Sequence, residues 1–311
     1  MELGILFYLA CILFSGLIFG KLAKRVKLPN VTGYLVAGLI IGPSVLGLIP
    51  GDIVSQMSIL SDMALGFIAF SVGSEFKISY FKRVGVTPIV IAIFEAVVAV
   101  IFVILGLIIA GYEVPFSLVL GAIAAATAPA ATVMVIKQYK AKGPLTETLL
   151  SVVALDDAVA LVAFGFAVTV AKSIESPASG SPLLSILDPF IEIATAVVIG
   201  ALLGAIFSFI LRWFKSSSNR LILSIAFVFL AIALSTLLNV SSLMMCMSMG
   251  AILANVSSTS DTIMKITDSV TPPLFMIFFV ISGAELQLSV IPTIGLVGVI
   301  YVVLRVAGKM F

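Results

Sequence analysis

Apolar residues run along this chain in blocks separated by short stretches that hold charges, Pro or Gly. A helix needs about 20 consecutive apolar residues to cross the hydrocarbon core of a bilayer. Blocks near 3–21, 31–49, 56–73, 87–110, 116–137, 147–171, 187–212, 220–238, 240–256, 270–286 and 291–311 meet or approach that length. They predict about eleven transmembrane helices. The short alternating segments of a transmembrane barrel are missing. The expected fold class is therefore an all-α polytopic membrane protein, with residues 1–311 forming one integral-membrane domain.

Composition agrees: 61% of residues are hydrophobic and 10% are charged, against about 25% charged in a soluble domain. The absence of His removes haem ligation, a His-based zinc site and a Ser-His-Asp triad. Cys11 and Cys246 lie inside apolar blocks without CxxC spacing and read as small core residues. A net charge of +2 gives no reason to expect a nucleic-acid partner. The first apolar block has no basic residue before it and no small-residue cleavage site, so it reads as a retained helix.

The charges also orient the chain. Lys21, Lys24, Arg25, Lys27, Lys77, Lys82, Arg83, Lys137, Lys140, Lys142, Arg212, Lys215, Arg220 and Lys265 fall on alternate loops, and Lys172 alone falls on the other side. By the positive-inside rule the N-terminus is outside and the basic loops are cytoplasmic. Arg305 and Lys309 remain inside the last block.

An internal similarity links distant parts of the chain. Gly73-Ser-Glu75-Phe-Lys-Ile-Ser79 resembles Gly283-Ala-Glu285-Leu-Gln-Leu-Ser289, with three of the seven positions identical. Upstream, Gly38-Leu-Ile-Ile and Gly250-Ala-Ile-Leu lie at nearly matching distances from the two copies. An odd number of spans separates the copies, so they enter the membrane from opposite sides, the plan of inverted-topology repeats. Repeat one is expected over about 31–172 and repeat two over about 240–311. The counterpart of Thr127 in repeat two falls beyond Phe311, which predicts a C-terminally truncated second repeat. Glu75 and Glu285 sit at span ends and read as caps or anchors.

Asp156-Asp157 stands within the apolar run Leu149–Val162. Each Asp costs roughly 2.5–3.5 kcal/mol at the centre of an inserted helix, so the pair needs a partner or a water-filled cavity. A structural salt bridge is the plain reading, and an ion and proton site is the functional one. Desolvation and mutual repulsion both favour the protonated carboxyl, so a proton can be held and then released when a cation competes for the same oxygens. Hard oxygen ligands suit Na⁺, Li⁺ or K⁺. The span before the pair carries Thr127-Ala-Pro129-Ala-Ala-Thr132, a mid-span proline among small residues and hydroxyls. Pro removes a backbone donor and small residues let helices approach. This predicts a discontinuous helix whose carbonyls and hydroxyls line the site. Glu95 and Arg305 lie 22 residues past Gly73 and Gly283 respectively, and so are equivalent in the two repeats. Arg305 is the first candidate to neutralise the Asp pair. Lys309, one turn on and on the same face, is the second, with snorkelling to the interface as its plain reading. Glu95 reads as structural or supporting.

Taken together these residues resemble the second branch of the monovalent cation–proton antiporter superfamily, the bacterial Na⁺/H⁺ and K⁺/H⁺ exchangers. Gly33-Tyr-Leu-Val-Ala-Gly38-Leu-Ile-Ile-Gly42-Pro43 is similar to that family's early glycine-rich helix, and Phe70-Ser-Val-Gly73-Ser-Glu75 to its next segment. The broken span with Asp156-Asp157 resembles its crossing motif, and Arg305-Val-Ala-Gly308 its basic-x-x-Gly segment. The resemblance implies a secondary antiporter exchanging a monovalent cation for H⁺ by alternating access. It implies Asp157 as the ion-binding, proton-exchanging carboxylate and Asp156 as its partner, paired with the basic residue of the late span. It further implies a homodimer in a bacterial-type cytoplasmic membrane, with a core unit of about 56–171 and 270–311 and a dimerisation unit of about 1–49 and 187–256. No cofactor is implied, and the small-molecule partners are the transported Na⁺, Li⁺ or K⁺ and H⁺. A double Asp marks the electrogenic, Na⁺-preferring type. Arg305 departs from its usual Lys, and Arg stays protonated where Lys can titrate.

Three rivals are weighed against this reading. An intramembrane aspartyl protease needs two Asp facing each other from separate helices, which adjacent residues cannot do, so an enzyme is not expected. A Na⁺-coupled symporter of an organic anion requires a wide cavity and uptake that depends on Na⁺. A channel or sensor is the third, and a non-transporting truncated homologue is a further reading beside them.

Overall fold

In the computed structural model, the described residues are 4–74, 76–78, 85–127, 129–175, 182–267 and 269–310. Glu75, Lys82 and Arg83, singled out above, lie outside them, as do the side chains of Asp157, Pro129 and Lys172. The described chain forms fourteen α-helices: α1 (Ile5–Arg25), α2 (Asn30–Ile41), α3 (Gly51–Gln56), α4 (Ser58–Ser74), α5 (Thr87–Ile109), α6 (Val114–Ile123), α7 (Pro129–Tyr139), α8 (Pro144–Glu175), α9 (Pro182–Ile210), α10 (Ser217–Leu238), α11 (Ser242–Val256), α12 (Ser260–Thr267), α13 (Thr271–Ala284) and α14 (Ile291–Met310).

Local chemistry sets the ends. Proline opens α5, α6 and α13, where its missing N–H would have had no helical partner. Ser241 caps α11 by accepting from the Met244 N–H. Asn239 closes α10 in the left-handed conformation, φ 52°. Among the described residues, four stretches are long and apolar enough to cross a membrane unbroken: Ile5–Arg25, Thr87–Ile109, Phe190–Ile210 and Ser217–Leu238. Several other predicted spans are shorter helices. The block 31–49 is helical only to Ile41, because Gly42 turns extended (ψ 179°) ahead of Pro43. The block 116–137 is divided into α6 and α7, where the sequence places its break.

The helices pack in two groups. One contains α1, α2, α4, α9, α10, α11 and α13, and holds a broad hydrophobic core that includes Phe67, Phe70, Phe207, Met245, Phe275 and Val280. The other joins α5, α6, α8 and α14, with a small apolar cluster of Val103, Leu107 and Ala124. The expected core unit, 56–171 with 270–311, is not the observed packing group. Residues 58–74 and 271–284 lie in the first group, with α4 packed on α11 and α13 on α2.

Those two pairings use the four glycines that the internal similarity singles out. A Cβ on Gly38 would lie 1.9 Å from the Val280 carbonyl oxygen, and one on Gly283 would lie 2.2 Å from that of Leu35. A Cβ on Gly73 would meet the Met247 oxygen at 2.0 Å, and one on Gly250 that of Phe70 at 2.2 Å. Each glycine therefore touches the carbonyl three residues before its partner glycine, in both crossings. Only a residue without a side chain fits such backbone contacts.

Candidate ion and proton site

The site forms where α6 stops. At its C-terminus the Ala124, Ala125 and Ala126 N–H groups bond back to the carbonyls of Gly121, Ala122 and Ile123. These i to i−3 bonds tighten the last turn into 3₁₀ geometry. The chain then runs non-helically through Thr127, and Pro129 opens α7. A helix interrupted in mid-membrane leaves carbonyls that need donors.

Arg305 supplies them. Its Nε donates to the Ala124 carbonyl (3.2 Å) and its Nη2 to that of Ala126 (2.5 Å). The fork of the guanidinium suits two neighbouring oxygens, and a cation at a helix C-terminus opposes the negative end of the dipole. The first candidate to neutralise the Asp pair thus holds the backbone of the broken helix.

Lys309 takes the position expected for Arg305. Its ammonium donates to Glu95 Oε1 at 2.7 Å, to Thr127 Oγ1 at 2.5 Å and to Asp156 Oδ2 at 3.4 Å. These contacts use all three donors of a lysine, and with its side chain 16% exposed the snorkelling reading fails. Thr127 in turn donates to Asp156 Oδ2 at 2.5 Å. Glu95, expected to be structural or supporting, is a direct ionic partner of Lys309. The cause is Gly308. A Cβ there would lie 2.7 Å from Ala99 Cα, so α14 rests against α5 one turn beyond Glu95 and brings Lys309 within reach.

Asp156 projects from α8 and is fully buried. Its Oδ2 is occupied, while Oδ1 has no hydrogen-bond partner among the described residues. A buried carboxylate oxygen left over calls for a donor or a cation. Asp157 follows in the same helix, and Thr132 lies on the first turn of α7. Sequence reasoning missed the carbonyls of Ala124 and Ala126 as partners of Arg305. It also missed the part played by Gly308, although the glycine directly before Lys309 was a readable signal of close approach.

Comparisons with known proteins bear on the family and the fold. The family model described as "Sodium/hydrogen exchanger, transmembrane" matches residues 9–311. The Na⁺/H⁺ antiporter NhaS4 of Synechocystis is 26% identical, over 94% of this chain and 76% of its own length. The Na⁺/H⁺-K⁺ antiporter GerN of Bacillus cereus is 25% identical over 54% of this chain and 43% of its own length. Among solved structures, the sodium proton antiporter NhaP1 of Methanocaldococcus jannaschii superposes with a TM-score of 0.74 at 24% identity. The superposition covers 98% of this chain and 77% of that one, and shows a shared fold. The chain belongs to the transmembrane sodium/hydrogen exchanger family.

Proposed function

We propose that this protein is a secondary active antiporter that exchanges a monovalent cation for H⁺ by alternating access, with Na⁺ or Li⁺ favoured over K⁺. The observation that carries the reading is the buried Asp156 at a helix break, one oxygen engaged by Thr127 and Lys309 and the other without a partner among the described residues. Asp157 is the shared cation and proton carboxylate. Asp156 and Thr127 frame the site, and Pro129 and Thr132 shape the second half of the broken helix. Lys309 supplies the counter-charge when no cation is bound, and Glu95 holds Lys309 in place. The Na⁺/H⁺ antiporter relatives support the choice of ions.

The molecule works as a multi-pass protein of the cytoplasmic membrane with its N-terminus outside, and as a homodimer. About eleven spans include two inverted repeats, a reading supported by the reciprocal crossings of Gly38 with α13 and Gly250 with α4. The moving unit comprises α5 to α8 and α14. The group built on α1, α2, α4, α9, α10, α11 and α13 is the scaffold and dimerisation unit.

Proton flux in proteoliposomes, reported by a pH-sensitive dye after addition of Na⁺, Li⁺ or K⁺, tests this directly. Cation-evoked flux that Asp157→Asn abolishes is the expected result. No flux, or flux indifferent to that substitution, overturns it. Na⁺-dependent uptake of an organic anion would identify a symporter instead. Repeating the assay across an imposed voltage separates electrogenic from electroneutral exchange.

A further inference from the structure

A polar cavity lies away from the Asp156 site, where the loop joining α9 to α10 meets the loop joining α11 to α12. It has a volume of about 350 Å³ and is lined by Arg212, Lys215 and Arg220 on one wall and by Ser257, Ser258 and Thr259 on the other. Among the described residues, no carboxylate lines it.

The fold brings the two walls together by a close helix pair. A Cβ on Gly200 would lie 2.3 Å from the Met245 carbonyl oxygen, and one on Gly204 would lie 2.6 Å from that of Met249. The contacts advance in step along both chains, so α9 and α11 run parallel and end on the same side of the bundle. That side is the one where the basic loop residues concentrate. The positive-inside rule asks only that basic residues lie on the loops of one side. Here three of them converge on a hollow with three hydroxyl-bearing residues opposite.

The local hydrogen bonds show how the cavity is held open. Arg220 Nε donates to the Phe214 carbonyl at 3.0 Å, which fixes the turn between α9 and α10. The Arg212 guanidinium lies 5.8 Å from the centroid of the Phe209 ring. Ser257 Oγ and Thr259 Oγ1 are 3.0 Å apart, and the Thr259 N–H donates to Ser257 Oγ at 3.3 Å. Thr259 accepts through its backbone carbonyl from the Thr262 and Ile263 N–H groups, so α12 starts directly after this wall. The nearest acidic residue of α12, Asp261, is engaged by Lys77 at 3.1 Å.

We propose that this cavity binds a phosphoryl anion, as a phosphate mono- or diester. Guanidinium, ammonium and hydroxyl donors together match its oxygens and its charge. Two sources carry that chemistry, the headgroup of an anionic phospholipid and a soluble phosphate ester. The exposed Trp213 and Phe214 beside the cavity fit the headgroup level of a bilayer.

The test is thermal unfolding of the whole protein in nanodiscs of phosphatidylcholine, with two additions made separately: phosphatidylglycerol, and inorganic phosphate. The variants are Arg212→Gln with Lys215→Gln, Lys215→Gln alone as the form least able to disturb folding, and a control with Lys140→Gln and Lys142→Gln, which removes equal charge from another loop of the same side. A rise in Tm with phosphatidylglycerol supports a lipid headgroup site, and a rise with inorganic phosphate supports a soluble phosphate. In either case the site variants should need about tenfold to a hundredfold more ligand, while the control matches the parent. No rise in Tm with either addition overturns the proposal. So does an equal loss in the Lys140/Lys142 control, which would mark general attraction to surface charge.

Discussion

The glycine crossings and the broken helix solve opposite packing problems. At Gly38, Gly73, Gly250 and Gly283 one helix backbone lies directly on another, with no side chain between them. At Thr127 the backbone is interrupted, and charged side chains fill the gap. The first arrangement is held by shape and has one geometry. The second is held by hydrogen bonds and charge, and in the proposed exchange its partners give way to an ion or a proton. A transporter needs both, a surface that does not deform and a site whose contents change.

The sharpest way to break the comparison is Lys309→Ala. Removing one partner of a buried ion pair costs about 3–5 kcal/mol, and here it leaves both Asp156 and Glu95 without their counter-charge. Thermal unfolding in detergent should show a large fall in Tm that narrows as pH drops, because the buried Asp156 needs no cation once it is protonated. Gly38→Val should cost about 3 kcal/mol or more by overpacking, since its side chain meets backbone. That loss should be the same at every pH. A glycine variant as pH-sensitive as the lysine variant would erase the distinction between the two regions. Arg305→Gln should cost about 1.5–3 kcal/mol, the range for hydrogen bonds made by a charged group, again without pH dependence near neutrality. Thr127→Val is the mildest, about 1 kcal/mol for one hydrogen bond. A double-mutant cycle of Thr127→Val with Lys309→Ala would still show coupling, because the two groups share Asp156 Oδ2.

Much of the site was legible in the sequence. Pro129 among small residues announced the break, and two Asp in an apolar run announced a buried acid. The roles of Arg305 and Lys309 were not legible, because residues four apart share a helix face and spacing alone cannot say which meets which partner. Two facts from distant parts of the chain decided it: the carbonyls bared by the 3₁₀ turn at Ala124–Ala126, and the depth to which Gly308 lets α14 settle on α5. The grouping of 58–74 and 271–284 was hidden for a different reason. Helices apolar on every side carry no stripe that marks their neighbour. The crossing glycines were visible as a repeat, but the similarity said nothing of which helix each would touch.

The two cations of α14 also differ in what a change of pH can do to them. Arginine keeps its proton throughout the physiological range, and its partners, the carbonyls of Ala124 and Ala126, have none to gain. The outline of the helix break is therefore indifferent to proton supply. Lys309, one turn away, donates instead to the carboxyl groups of Glu95 and Asp156. In the proposed exchange, loading and unloading alter the charge in the cleft while its backbone walls keep their form.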